Sequence, residues 1–414
     1  MKTKIKSLMY ILVCLNSLML ITACSDDDNN GGGTEVEIKT LSEDMIKVRN
    51  YAPKDAIVGH RGTAFWAPES TEAAYRWARE AGVDYLEADL QLSKDGIIVI
   101  VHDDNIHAKT NAMQKFPEKN VGTATNPKFL VKDFTLAELR QLDAGSWFNN
   151  EDHKNEWRPS YAGLKILTLK DLVKIAEGNR LVYGIDGTIS YTSDDQWHGN
   201  VPGIYAETKE PRLNPGQDIE KKLYDELDVL GWNVATKPSS DNEFYKNSKI
   251  NVGNTNGKVV FQTFSRESLT TLNKQFASKV PLCLLLWLDP NDPDYSMVAD
   301  TKEEFAKWIN YGVDNGAQFM GPSIAEEITE GEGSSSTYAD LVSGWRSELI
   351  HSSGMYIHPY TFDKEKTMEK YYQLCEGMFT NIGIESVNFY RSKGKRLGAP
   401  IPENAKDILV RLGY

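Results

Sequence analysis

Short apolar runs of strand length alternate with amphipathic segments along most of this chain. Runs rich in apolar or β-branched residues lie at 56–59, 85–90, 97–101, 181–185, 203–208, 258–264, 281–288, 317–320, 355–360 and 377–380. Helix-period segments lie at 42–48, 72–81, 136–142, 169–177, 219–230, 266–276, 302–311, 341–351 and 364–374. Strands that alternate with amphipathic helices predict βα units and a parallel sheet.

Two of the predicted helices have marked starts. Thr135 stands three positions before Glu138, and Thr168 stands three positions before Asp171. A threonine at this distance from an acid is typical of a capping box, in which each side chain bonds the other's backbone N–H.

The number of repeating units indicates the architecture. About eight βα units in one domain predict a closed barrel, an α/β fold of the TIM (β/α)8 type. The candidate strands exceed that number, so some must form hairpins or cap pieces. The turn at 94–96 leaves no room for a helix between the second and third runs, so we expect an irregular barrel there.

Several long polar insertions interrupt the pattern. Loops of this length within a barrel usually shape the mouth of a site, and we expect that here. The insertions lie at 107–130, 188–202, 235–257, 289–295 and 329–337.

Charge narrows the class of partner. The chain of 414 residues carries a formal net charge of −13. No basic field is therefore present to recruit nucleic acid or anionic lipid. An anionic substrate would need local positive charge, from a metal ion or from well-placed Arg and Lys side chains.

The N-terminus has the pattern of a targeting segment. Lysines precede an apolar run at 8–23 that is short for a transmembrane span. The run ends in Leu-Ile-Thr-Ala before Cys24, and this pattern resembles a bacterial lipobox. It implies cleavage between residue 23 and Cys24 and a diacylglyceryl group on the Cys24 sulfur. An ordinary signal peptide with an incidental cysteine is the alternative. We expect a signal peptide at 1–23, a flexible tether at 24–41 and one domain at 42–414.

The expected location follows from this anchor. The protein would contact the membrane only through this lipid. We expect a cell-envelope location, at the outer membrane, on either its periplasmic or its cell-surface side. Cys14 would leave with the signal peptide, so only Cys283 and Cys375 would remain as thiols. Two thiols make no disulfide framework, and we expect buried packing residues, with a single bridge left open.

Carboxylates recur on two of the predicted strands. Glu87 and Asp89 are two positions apart, so their side chains point to the same face. Two buried carboxylates on one face repel unless a cation lies between them, and hard oxygen ligands suit Mg²⁺ or Ca²⁺. Glu207 and Lys209 repeat this spacing. Glu207 would complete a site of three carboxylates, and Lys209 would face the negative charge of a substrate.

Two histidines end two different predicted strands. His60 and His102 are suited to general acid and base chemistry, and two imidazoles beside a metal ion fit cleavage of a phosphodiester. Arg61 would supply a bidentate phosphate clamp. Asp103 would orient an imidazole through its ring N–H. His358, on a late strand, would either line the mouth of the site or pack in the core.

An ordered set of motifs resembles the glycerophosphodiester phosphodiesterase family. Each piece is weakly specific, but the set in this order is strongly specific, and it covers essentially residues 55–380. The pieces are His60-Arg61-Gly62, Pro68-Glu69-Ser70-Thr71, Glu87-Ala88-Asp89, Lys94-Asp95-Gly96, His102-Asp103, Thr135-Leu136-Ala137-Glu138-Leu139, Asp143-Ala144-Gly145-Ser146-Trp147, Glu207-Thr208-Lys209 and Gln262-Thr263-Phe264.

The resemblance implies a fold, an activity and a set of roles. The family has a TIM barrel of the phospholipase C-like phosphodiesterase type and cleaves glycerophosphodiesters to glycerol 3-phosphate and an alcohol. By this likeness His60 and His102 are the acid/base pair, and Glu69 supports the site. By the same likeness, the divalent metal (Ca²⁺ or Mg²⁺) is bound by Glu87, Asp89 and Glu207. Phosphate is bound by Arg61 and Lys209.

Some positions depart from the family pattern. Ser70 stands where Asn is frequent, and Lys109-Thr110-Asn111 stands in place of an Arg-Thr-Thr run. Glu376 and Asn381 each replace a common Asp. The substrate contacts near Lys109 are therefore left open. The alternatives are another diester, such as phosphatidylinositol or a cell-surface glycerophosphate polymer, and a non-catalytic surface lipoprotein that uses the barrel to bind.

Overall fold

The structure is a computed structural model that describes residues 36–150, 158–184, 187–209, 211–325 and 338–414. The predicted signal peptide, Cys24, most of the tether and the insertion at 329–337 lie outside the described residues. The strands are β1 Ala56–Gly59, β2 Tyr85–Leu92, β3 Ile98–Ile100, β4 Leu167–Thr168, β5 Asn179–Tyr183, β6 Ile189–Ser193, β7 Gly203–Thr208, β8 Tyr245–Lys246, β9 Lys249–Ile250, β10 Val259–Thr263, β11 Leu282–Leu286, β12 Phe319–Pro322, β13 Tyr356–Ile357 and β14 Gly377–Thr380.

Eight of the described strands are parallel and follow one another around a barrel. Their order is β13-β12-β11-β10-β7-β2-β1-β14. The two ends of this order meet, because the Glu376 N–H donates to the Ile357 carbonyl (2.9 Å) and the Phe362 N–H donates to the Phe379 carbonyl (2.8 Å). The predicted α/β fold of the TIM-barrel type is confirmed.

The two remaining candidate strands lie outside the barrel. β3 pairs antiparallel with β2, as the turn at 94–96 predicts, and β4 extends that pairing. The run predicted at 181–185 belongs to β5, which forms a two-stranded antiparallel hairpin with β6. The sequence therefore predicted the number of barrel strands and the irregularity at β3, but it did not indicate that the run at 181–185 lies outside the barrel.

The helices largely agree with the predicted segments. They are α1 Glu43–Arg49, α2 Glu72–Ala81, α3 Ala112–Lys115, α4 Leu136–Leu139, α5 Leu169–Ala176, α6 Ile219–Leu230, α7 Arg266–Gln275, α8 Lys302–Asp314, α9 Trp345–Ser352, α10 Glu365–Tyr371, α11 Gly383–Ser392 and α12 Ala405–Leu412. Both capping boxes, at Thr135 and at Thr168, form as expected. The hydrophobic pattern did not predict α3, α11 or α12.

Two insertions that were expected at the mouth of the site lie elsewhere. The insertion at 188–202 packs on α2, where the Asn200 side-chain amide donates to the Arg79 carbonyl (3.1 Å). The insertion at 235–257 packs beside it, and the Gly253 N–H donates to the Val201 carbonyl just before β7 (2.8 Å). Both insertions precede a barrel strand, so they lie at the amino ends of the strands, opposite the end where barrels carry their sites.

Residues 36–414 form one compact unit. In the described part of the chain no helix has both the length and the apolar composition needed to span a membrane. Cys283 and Cys375 are buried and free. The expectation of packing thiols is confirmed for these two residues.

Candidate active site

Three buried carboxylates meet at the carboxyl end of β2 and β7. The two strands are parallel, and their register places Asp89 directly beside Glu207. Glu87 points to the same side as Asp89 because side chains alternate along a strand. One oxygen from each of the three groups lies within 4.8 Å of the others. The side chains predicted to hold a metal ion are thus brought together.

Neighbouring donors satisfy most of these carboxylate oxygens. The Gln262 side-chain amide donates to Glu87 Oε1 (3.1 Å), and the Arg61 backbone N–H donates to Glu87 Oε2 (2.7 Å). Lys209 Nζ lies 2.9 Å from Asp89 Oδ1 and 2.8 Å from Glu207 Oε1. Asp89 Oδ2 is buried and accepts no hydrogen bond from any described residue. A buried oxygen in that state, within a set of hard oxygen donors, fits a divalent cation.

The carboxylates and their lysine strongly affect one another's protonation. Burial, and then the charge of Asp89, raises the pKa of Glu87 well above its ordinary value. Burial also opposes ionisation of Asp89, but Lys209, His102 and Arg61 outweigh it and hold the pKa of Asp89 below the usual range. Burial opposes the charge of Lys209, yet Asp89 and Glu207 raise its pKa. Crowding of the acids therefore disfavours ionisation of Glu87, and a bound cation would favour its ionised form.

A tight turn directs His60 and Arg61 into the site. β1 passes directly into the turn His60–Gly62, in which Arg61 adopts a left-handed backbone (φ 51°). Gly62 is also left-handed (φ 85°), and a Cβ there would lie 2.8 Å from the backbone of Ala74. The turn is thus pressed against α2, and only glycine fits at its third position.

Each histidine has its Nδ1 atom engaged by a neighbour. His60 Nδ1 lies 2.9 Å from Asn381 Oδ1, and the Asn381 amide nitrogen donates to Asp363 (2.9 Å). His102 Nδ1 lies 2.7 Å from Asp103 Oδ1. Because the carboxylate and the amide oxygen only accept, each Nδ1 is the donor and each Nε2 is the nitrogen left for chemistry.

Both imidazoles are shifted toward the neutral form. Desolvation, followed by the charge of Arg61, holds the pKa of His60 well below its ordinary value. Desolvation also lowers the pKa of His102, while Asp89 and Asp103 act in the opposite direction. His60 is therefore neutral at rest and available to accept a proton, and His102 is the ring whose cationic form has a carboxylate partner.

Arg61 lies between two acids. Its guanidinium is 3.2 Å from Glu69 and 3.5 Å from Asp89. Burial opposes its charge, but Glu69 and Asp89 raise the pKa of Arg61 above its ordinary value. Arg61 is therefore a fixed cation beside the carboxylates, as a phosphate clamp requires.

These groups open onto a cavity of about 310 Å³. Part of its lining is polar or charged, and the rest is aromatic or apolar. The polar part consists of His60, Arg61, Asp89, His102, Glu207, Lys209 and Gln262, and the aromatic or apolar part of Phe264, Leu285, Trp287, Tyr338, Tyr360 and Phe379.

Some residues that shape the site carried no predicted role. Asn381 entered only as a departure from the family pattern, and Gln262 only as part of a motif. The signal was the sheet order: Thr380 of β14 pairs with Gly59 of β1, so Asn381 comes beside His60. That pairing joins strands far apart in the chain. His358 is buried in the barrel core, 3.1 Å from the Tyr205 hydroxyl, so the packing alternative holds.

Comparison with known proteins gives consistent matches. The sequence profile of the glycerophosphoryl diester phosphodiesterase family matches residues 60–212. A glycerophosphodiester phosphodiesterase of Bacillus subtilis is 29% identical over 78% of this chain and 82% of its own length. One from Haemophilus influenzae is 24% identical over 76% of this chain and 80% of its own length.

Solved structures agree in fold. A structure from Silicibacter pomeroyi superposes with a TM-score of 0.57 at 18% identity, covering 85% of this chain and 98% of its own. An Oleispira antarctica phosphodiesterase, in complex with the product sn-glycerol-3-phosphate, has a TM-score of 0.51 at 18% identity and covers 82% and 97%.

Proposed function

This chain belongs to the glycerophosphoryl diester phosphodiesterase family, and we propose that it hydrolyses glycerophosphodiesters to glycerol 3-phosphate and an alcohol. The observation that carries the proposal is the cavity in which two imidazoles, two fixed cations and a buried carboxylate group meet. No single strand supplies this set. Its two cations complement the negative charge of a phosphodiester, and its carboxylates complement the charge of a metal cation.

Glu87, Asp89 and Glu207 would hold a divalent cation, Ca²⁺ or Mg²⁺. Support comes from the proximity of their oxygens, within 4.8 Å, and from Asp89 Oδ2, which accepts no hydrogen bond from the described residues and lies 3.5 Å from Arg61 Nε. A bound cation would neutralise the carboxylates and withdraw electron density from a phosphoryl oxygen. Lys209 and Arg61 are placed beside the same carboxylates and would bind the phosphate oxygens.

The two histidines would move the protons. His60 Nε2 would accept the proton of the attacking oxygen, because Asn381 holds Nδ1–H and no carboxylate bonds the ring to favour its cation. His102 Nε2 would give a proton to the leaving alcohol oxygen, because Asp103 stabilises the imidazolium. The attacking oxygen is either the glycerol hydroxyl, which gives a cyclic phosphate that water then opens, or water itself. Product analysis in ¹⁸O-labelled water would separate the two routes through detection of a transient cyclic phosphate, which only the first route forms.

The test is a substrate panel. Purified protein would be incubated with glycerophosphocholine, glycerophosphoethanolamine, phosphatidylinositol and a glycerophosphate polymer, with Ca²⁺ and Mg²⁺ in turn. We expect glycerol 3-phosphate from the first two and its loss on addition of a chelator. Release of inositol or inositol phosphate from phosphatidylinositol alone, or of glycerol 3-phosphate from the polymer alone, would replace the proposed substrate. No release from any, with retained binding, would support the non-catalytic alternative.

We also propose that the protein is held at the cell envelope by a lipid on Cys24. Support comes from the sequence alone, through the apolar run at 8–23 and its lipobox-like end. In cells that are fed a palmitate analogue, the wild-type protein should incorporate the label and the Cys24→Ser protein should not. Equal labelling of the two would contradict the anchor.

A further inference from the structure

Lys109 joins the two acids that flank the catalytic groups. Its ammonium lies 2.8 Å from Glu69 Oε1 and 2.8 Å from Asp103 Oδ2. Glu69 contacts Arg61 (3.2 Å), and Asp103 contacts His102 (2.7 Å). Charges therefore alternate without interruption from the phosphate clamp to the imidazole, and Lys109 is the link at the centre.

The turn that carries Lys109 is held on both sides. The Thr110 hydroxyl donates to the Ile106 carbonyl (2.7 Å) and accepts from the Ala112 N–H (3.2 Å). The Asn111 side chain accepts from the Asp143 N–H (2.9 Å). The Lys109 ammonium also lies over the Trp147 ring, 5.8 Å from its centre. The turn is thus held in place, and the ammonium it carries lies between Glu69 and Asp103.

Lys109 lies beside the main cavity and does not line it. Together with Glu69, Asp103 and Trp147 it lines a separate small pocket of about 40 Å³, which His102 also lines. We propose that Lys109 is a positioning residue, which acts on the reaction through Asp103 and Glu69 and makes no contact with the substrate. This inference rests on the proposed function and assigns a role to a position that departs from the family's Arg-Thr-Thr run.

A charge-removing and a charge-keeping variant test this role. Lys109→Met should lower kcat for glycerophosphocholine by about tenfold or more, with KM changed less than about twofold. The reason is that misplaced catalytic groups lower the rate of the chemical step and leave substrate binding intact. Lys109→Arg should restore most of kcat, because a guanidinium can bridge two carboxylates. Lys119→Met is the matched control: Lys119 also pairs with an acid (Glu138, 2.9 Å) and lies over an aromatic ring (Phe134), in the same insertion. It should leave kcat unchanged.

A double-mutant cycle separates positioning from substrate contact. If Lys109 acts partly through Asp103, then Lys109→Met should slow the Asp103→Asn protein by a smaller factor than it slows the wild type. Multiplicative losses, or a loss of Lys109→Met confined to KM, would overturn the proposal. If the wild type turns over no diester in the panel, the proposed function fails. The positioning role of Lys109 is then tested by NMR, through the downfield proton resonance of the His102 Nδ1–H. This resonance should move in Lys109→Met and stay in Lys119→Met; an unmoved resonance would refute the positioning role.

Discussion

At the scale of single residues, the neighbours of a side chain decide what it can do. His60 and His102 have the same ring, but one Nδ1–H meets an amide oxygen and the other meets a carboxylate. His358 has the same ring again and lies in the apolar core, where its pKa is lowered. The three positions illustrate that residue type indicates a chemistry and that surroundings select it.

Removal of either cavity imidazole should abolish turnover without loss of the fold. We expect His60→Ala and His102→Ala to reduce kcat by about 100-fold or more, the usual value of a general acid or base. Steady-state kinetics and thermal melting would be measured together. His198→Ala is the control, because His198 is 44% exposed and pairs with Glu403 outside the cavity. Retention of more than about a tenth of kcat would exclude an acid/base role for that histidine.

His358 should make the stability of the fold depend on pH. Burial lowers its pKa from 6.5 to about 4. The unfolded chain then binds the proton at a higher pH than the folded chain, so stability is retained above pH 6.5 and is lost as the pH falls toward 4. The loss should be about 3 kcal/mol.

Urea unfolding at a series of pH values would measure this slope. His358→Phe is the informative variant, because the ring packs 4.5 Å from Phe319 and a phenyl group keeps that contact. The slope between pH 6.5 and 4 should be smaller in the variant. Equal slopes in the two proteins would show that His358 does not titrate in this range.

At the scale of elements, buried ion pairs attach the β5–β6 hairpin to the barrel. Asp194 follows β6, and its carboxylate accepts from Arg76 (2.7 Å) and Arg79 (2.6 Å) of α2. Arg76 also donates to the Leu412 carbonyl at the end of α12 (3.1 Å). A single carboxylate thus connects the hairpin to α2 and, through Arg76, to α12, all outside the sheet.

Loss of that carboxylate should destabilise the fold. Asp194→Asn would leave the buried guanidinium of Arg76 without its counter-charge and that of Arg79 paired with Glu80 alone, which costs about 3 kcal/mol or more. Asp225→Asn is the matched control, because Asp225 pairs with Lys221 in the solvent and should cost less than about 0.5 kcal/mol. Chemical denaturation would compare the two, and similar losses would contradict this role of Asp194.

At the scale of the whole molecule, closure of the barrel assembles the site. β2 and β7 are neighbours in the sheet, although β3 to β6 separate them in the chain. The protein also carries a net charge of −13, and three of its acids are buried together inside it. A cation bound there would stabilise the entire fold, because the unfolded chain has no such site.

Divalent cations should therefore raise the melting temperature. We expect an increase of about 2 °C or more at saturating Ca²⁺ or Mg²⁺, and its loss in Asp89→Asn. Asp241→Asn, a loop acid remote from the cavity, should keep the increase. An Asp89→Asn protein with the full increase would place the cation elsewhere. Melting curves need no substrate, so this test is independent of turnover.

The sequence predicted the fold class, most elements and the charged and histidine side chains that line the cavity. It did not predict which end of the barrel each insertion covers, although that follows from whether a loop precedes or follows a strand. It also did not assign roles to Asn381, Gln262 or Lys109. Each of these residues contacts a partner on another element, and the identity of a single residue does not indicate which distant residue will be its partner.

The sequence by itself determined which side chains share a face of one strand, because alternation along a strand is local geometry. The pairing of Glu87 with Asp89, and of Glu207 with Lys209, therefore follows from their spacing alone. Only the tertiary structure decided that Asp89 lies beside Glu207, that Asn381 holds His60 and that Lys109 bridges Asp103 and Glu69. These contacts depend on strand register and barrel closure, which arise from packing between residues distant in the chain.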